Sequence, residues 1–217
     1  MIFSELPNSF SLKASTLASD ENLHSGLWLV LVGIDEIPPH IALISAGKYY
    51  SLSTRKVDCG TPAERFINTL KRKHISSLFI KIEKEDKGQP QTPKGALNSA
   101  TQSPFRGLGQ NVEDFTSNPD LLLRNIYKDL QPLKNTENTC LSPIKEFFTS
   151  YYSAEFAPVK YVFELLAIAQ KKELLGDCIS LFPLDNDAKS ITLPKYTMEQ
   201  IKNRIHEISS QITSANS

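Results

Sequence analysis

A histidine at the head of an apolar segment, His40 in PPHIALISAG, is followed a hundred residues later by a cysteine at the start of a helical pattern, Cys140 in NTCLSPIKEFF. A thiol becomes a nucleophile when a base takes its proton, and the open N–H groups of a helix start favour the resulting thiolate. The two residues are therefore candidates for base and nucleophile in acyl transfer. Pro143 belongs in a first helical turn, which places Cys140 beside amides such as Leu141 that could also contact an oxyanion. A third group must hold the imidazole, and the strand that follows His40 supplies Ser51 first, with Tyr50 and Asp58 behind it. Cys59, before Gly60 in an expected turn, and Cys178, after a helix stop, lack a helix N-terminus of their own.

The elements that must position these residues follow from pattern. GLWLVLVGI, Gly26 to Ile34, is a continuous apolar run of strand length. Pro38 and Pro39 restrict the chain before HIALISAG, and KYYSLST pairs with that segment as a hairpin with Gly47 and Lys48 at its tip. Thr61, Pro62 and Glu64 predict a capped helix carrying Ala63, Phe66, Ile67 and Leu70 on one face and ending near Lys73 in a basic turn. Residues 76–82, SSLFIKI, predict a further strand.

From 83 to 118 the composition turns to Gly, Pro, Gln, Asn, Ser and charge, the mark of a long polar insertion. Helices are predicted over 121–130, from Cys140 through Tyr152, and over 158–175 with Gly176 as the stop. A last helix starts at Thr197, whose cap is paired with Gln200. The expected architecture is α+β, a small and mostly antiparallel sheet flanked by helices. The expected division is an N-terminal arm over 1–25, a domain over 26–175 interrupted by the insertion, and a helical appendage over 176–217.

The 217 residues are 40% hydrophobic, enough for one sizeable core, and 24 basic side chains offset 24 acidic ones. That balance argues against nucleic acid or an anionic membrane as partner. Three separated cysteines form neither a disulfide framework nor a zinc motif, so no metal or other cofactor is expected and the thiols read as reduced, in a cytoplasmic protein. The start lacks a basic segment leading into a long apolar run, and no apolar stretch is long enough for an integral membrane segment. Phosphate loops, zinc-protease helices and serine-hydrolase elbows are absent from the sequence.

The order of a strand histidine, a Gly-tipped hairpin, a polar residue on the partner strand and a late helix-start cysteine resembles the circularly permuted papain-like superfamily. That group includes relatives of lecithin retinol acyltransferase and bacterial amidohydrolases and lipid hydrolases. HIALISAGKYYSLS and TCLSPIKEFF, within about Gly26 to Tyr152, carry the resemblance and are also similar to segments of uncharacterised bacterial proteins. It implies a hydrolase or acyltransferase acting on an amide or ester of a small molecule, peptide or lipid, with His40 as base, Cys140 as nucleophile and Ser51 steadying the ring. Serine stands where many relatives carry a stronger polar partner, and the residues before the cysteine differ from those of several branches. The competing expectation is a non-catalytic interaction domain whose histidine and cysteine are structural. Assembly into a homo-oligomer is open on either reading.

Overall fold

The computed structural model describes residues 9–16, 23–83, 118–133, 138–182 and 190–215. Most of the polar insertion, and residues 134–137 ahead of Cys140, lie outside them. Within them the chain is α+β, with a seven-stranded sheet and a separate two-stranded pair.

The centre of the sheet is made by the apolar segments. β3 (Leu27–Val32) runs antiparallel to both β4 (His40–Ser45) and β7 (Ser77–Ile82). Leu29, Val30 and Leu31 of β3 are fully buried, because helices cover both sides of this strand. A continuous apolar run, rather than an alternating one, is what such a position requires.

β5 (Lys48–Leu52) returns beside β4 through a two-residue turn, in which Ala46 and Gly47 have φ of 46° and 73°. Two successive left-handed residues match the twist of a tight hairpin, and glycine takes that conformation without a Cβ penalty. The hairpin is the one expected from sequence, but its turn falls one residue earlier: Ala46 joins Gly47 at the tip and Lys48 already pairs with Ser45.

β6 (Val57–Pro62) follows, and it changes the next helix. Thr61 is paired with Tyr49 as a strand residue, so it does not cap α1 (Ala63–Arg72). The Pro62 position makes no side-chain cap, and the Ala63 N–H donates instead to the Gly47 carbonyl at 2.9 Å. Backbone pairing within the sheet has displaced the capping box that Thr61, Pro62 and Glu64 suggested. Cys59 and Gly60, expected in a turn, are strand residues here, and the register shifts at Tyr49/Tyr50 opposite them.

α1 covers one side of the sheet with Ala63, Ile67 and Leu70 packed on Trp28, Val30, Ala42, Ile44, Tyr49 and Phe79. The other side is covered by α2 (Pro119–Tyr127), α3 (Leu141–Tyr151) and α4 (Val162–Lys171), which bury Leu29, Leu31, Ile41, Leu43, Tyr50 and Leu52. Each such aliphatic side chain contributes about 1.5–3 kcal/mol when fully buried, so this larger core dominates the stability. α2 is also tied to the sheet by Asp120, which meets Lys48 Nζ at 2.9 Å and accepts a hydrogen bond from the Tyr50 hydroxyl.

The two ends of the chain are woven together. β1 (Ser9–Lys13) pairs antiparallel with β9 (Ser190–Pro194), while β2 (Ser15–Thr16) pairs in parallel with β8 (Leu175–Ser180). β8 also pairs with β7, so the start of the expected appendage is an inner strand of the main sheet. The helix expected over 158–175 is shorter, because the chain must turn at Lys172 and Glu173 to enter β8. α5 (Met198–Ala215) begins with the capping box read from sequence: Thr197 N–H donates to Gln200 Oε1 at 2.7 Å, and Gln200 N–H to Thr197 Oγ1 at 3.2 Å. Among the described residues no helix is long and apolar enough to cross a membrane.

Candidate functional site at the head of β4

The β3–β4 connection delivers His40 as the first residue of β4, paired with Val32. Strand alternation sets its side chain on the side of Ala42 and Ile44, the side covered by α1. Ser51 is opposite Ala42 on β5 and therefore shares that side. Its hydroxyl meets His40 Nε2 at 2.8 Å. The ring is thus drawn toward β5, with one nitrogen engaged and Nδ1 left for another partner.

The environment keeps this imidazole neutral. Burial lowers its pKa from 6.5 to about 4, although the Asp58 and Glu36 carboxylates act in the opposite sense. Asp58 is buried opposite Ser51 on β6, where Lys56 Nζ approaches it at 2.9 Å and Thr61 Oγ1 at 3.5 Å. It therefore acts on His40 through its field, without a hydrogen bond to the ring. Tyr50, the other alternative, faces the opposite side and is occupied with Asp120.

The residue not anticipated from sequence is Tyr49. Its ring stacks on Phe66 of α1, with centroids 3.9 Å apart and planes 16° from parallel, and the Ser51 hydroxyl acts on its phenol. The phenol is pushed up by burial, so it stays a neutral hydroxyl beside the serine. The i, i+2 spacing of Tyr49 and Ser51 on a strand is a signal that could have found it.

Cys140 stands directly before α3 and already has helical dihedrals, φ −58° and ψ −22°. Thr139 performs the capping: its Oγ1 accepts from Leu141 N–H at 3.3 Å, and its carbonyl accepts from Ser142 N–H at 3.0 Å. The amides of Ile41, Cys140 and Leu141 face the sulfur and favour its thiolate, yet burial is the larger effect and raises the thiol above its ordinary value of 9.0. The resting state is a thiol beside a neutral imidazole.

Ile41 is the link between the two candidates. It lies beyond the last β4–β5 pair, Ala42–Ser51, so its N–H is open to the sulfur, and it is the residue next to His40. The sulfur itself packs with the core under α2, α3 and α4, on the side of the sheet away from the His40 ring. Among the described contacts no hydrogen bond joins ring and sulfur. The fold thus brings His40, Ser51 and Cys140 to one end of β4, with His40 and Ser51 bonded and the thiol reached through the neighbouring amide.

The other cysteines differ. Cys178 is buried and pushed up to about 12, and exposed Cys59 contacts the Arg124 carbonyl at 3.8 Å. Among the described residues no group of three His, Cys, Asp or Glu side chains gathers to hold a metal ion. A cavity of about 320 Å³ lies between the start of α4 and the start of α5, lined by Tyr161, Phe163, Tyr196 and Gln200 among others. A second, of about 400 Å³, lies where Glu36 and Ile37 meet α5. Neither is lined by His40, Ser51 or Cys140.

Comparison of the chain with protein-family models, curated proteins and solved structures finds no match.

Proposed function

We propose that the protein is a cysteine-dependent hydrolase or acyltransferase acting on an amide or ester, with Cys140 as nucleophile, His40 as base and Ser51 as the residue that positions the ring. One observation carries this reading: Ser51 engages Nε2 of a neutral imidazole at the strand end whose next amide faces the Cys140 sulfur. The resemblance to the permuted papain-like superfamily agrees with the order of these residues along the chain.

In this mechanism Nε2–H donates to Ser51 Oγ, which leaves the Nδ1 lone pair free. Because thiol and imidazole are both neutral at rest, the sulfur gives its proton to Nδ1 as it attacks the carbonyl carbon. The C–S bond forms, the carbonyl π pair moves to oxygen, and the Cys140 and Ile41 amides offset the new charge. Collapse expels the amine or alkoxide, which takes the proton from Nδ1. Water or an acceptor nucleophile then repeats the sequence on the thioester and restores the thiol. Because ring and sulfur rest on opposite sides of the sheet with no described hydrogen bond between them, the step requires the head of β4 to swing so that Nδ1 reaches the sulfur round the strand end.

The second reading, a non-catalytic interaction domain with structural histidine and cysteine, is favoured by the burial of both groups and by their attachment to opposite sides of the sheet. Acylation by p-nitrophenyl acetate, with the acetyl group located by mass mapping, separates the two. The enzyme reading expects acetyl on Cys140 in the parent protein and loss of that signal in His40→Ala. Acetyl confined to Cys59, or equal labelling with and without the imidazole, would favour the interaction domain.

A further inference from the structure

The oxyanion at Cys140 needs donors, and the helix start supplies fewer than its geometry first suggests. The Leu141 N–H is shared with Thr139 Oγ1, and the Ser142 N–H is given to the Thr139 carbonyl. The amides of Cys140 and Ile41 remain.

At the end of α2, the helix that packs against α3, lies a polar group with no described partner. Tyr127, the last residue of α2, is 1% exposed, and its hydroxyl is the buried side-chain polar atom that makes no hydrogen bond among the described residues. Its ring packs on Tyr50 with centroids 5.6 Å apart. It belongs to the same core as Cys140, where α2 packs against α3. A buried hydroxyl without a partner costs about 1–3 kcal/mol, and such groups call for a reason. Phenylalanine would fill the same space without that cost. Two other buried tyrosine hydroxyls are occupied: Tyr50 donates to Asp120, and Tyr196 accepts from the Val162 N–H at 3.4 Å.

The electrostatics agree with this placement. After burial, the groups acting on the Tyr127 phenol are Tyr49, Cys140 and Cys59, so its hydroxyl lies within the field of the thiol. All of these hold Tyr127 in its neutral form, the form that can donate.

Building on the hydrolase reading, we propose that Tyr127 is a further catalytic residue: its hydroxyl, without a partner among the described residues, donates a hydrogen bond to the oxyanion formed when Cys140 attacks a carbonyl. On this assignment its acceptor exists only after the C–S bond forms. No proton is transferred, and the hydroxyl is released when the carbonyl re-forms.

Tyr127→Phe tests this with two reactions of the same sulfur. Acetylation by p-nitrophenyl acetate passes through an oxyanion, whereas alkylation by iodoacetamide does not. The expected result is a fall in Cys140 acetylation of about tenfold to a hundredfold, with alkylation of Cys140 unchanged within about twofold. The urea midpoint should stay level or rise, since an unpaired buried hydroxyl has been removed. Unchanged acetylation, or equal falls in both reactions, would overturn the assignment and leave Tyr127 a packing residue. Absence of acetyl on Cys140 in the parent protein would instead refute the hydrolase reading, and the Tyr127 role with it.

Discussion

Replacement of His40 by glutamine should make the protein less sensitive to mild acid. In the folded protein burial holds the imidazole at about 4, whereas the unfolded chain returns it to its ordinary 6.5. Between those values the unfolded chain binds a proton that the folded protein excludes. Stability is therefore full above the unfolded value and is lost as pH falls toward the folded one. Integrating the linkage from pH 7 to pH 5 gives about 2 kcal/mol, and the residual solvent access of this half-buried residue trims the figure toward about 1.5 kcal/mol. Glutamine does not titrate and can still reach Ser51. Urea unfolding of both proteins at pH 7 and pH 5 isolates the ring, because carboxylates common to the two cancel in the double difference. The parent should lose about 1.5 kcal/mol more than the variant over this interval. An equal loss in both would show that His40 is not buried in a neutral state, and the proposed base would lose its physical footing.

Two further outcomes follow from the same geometry. Ser51→Ala leaves a ring nitrogen without its partner in a largely buried setting, which should lower stability by about 1–2 kcal/mol in urea and free the imidazole tautomer, visible in its nitrogen NMR shifts. Iodoacetamide labelling of Cys140, followed by mass mapping, should accelerate as pH rises through neutrality to beyond pH 9, while Cys178 stays unlabelled in the folded protein. A plateau already reached at pH 7 would indicate a preformed thiolate and contradict the raised thiol.

The central elements could be read from short windows because their burial is written locally. LWLVLV is apolar throughout because β3 is covered on both sides, and the β4–β5 hairpin shows in the Gly47 turn between two apolar segments. The Thr197–Gln200 cap lies within a single helical turn. β6 was missed because VDCGTP has neither an apolar run nor clean alternation, and its pairing with β5 is an edge interaction. β1, β2, β8 and β9 escaped for a different reason. Ser9 is opposite Pro194, and no local pattern encodes pairing across such a separation.

For the site, residue type and local position were enough to select His40, Ser51 and Cys140. A histidine opening a strand, a serine on the return strand of its hairpin, and a cysteine beside a helix start are all statements about neighbours in the chain. Tertiary structure decided the rest. It set the ring on the α1 side, stationed the sulfur against the opposite core, made Ile41 the point of contact, and left the Tyr127 hydroxyl without a described partner. Burial and the facing of side chains depend on which elements cover which side of the sheet, and that is fixed only when distant segments pack.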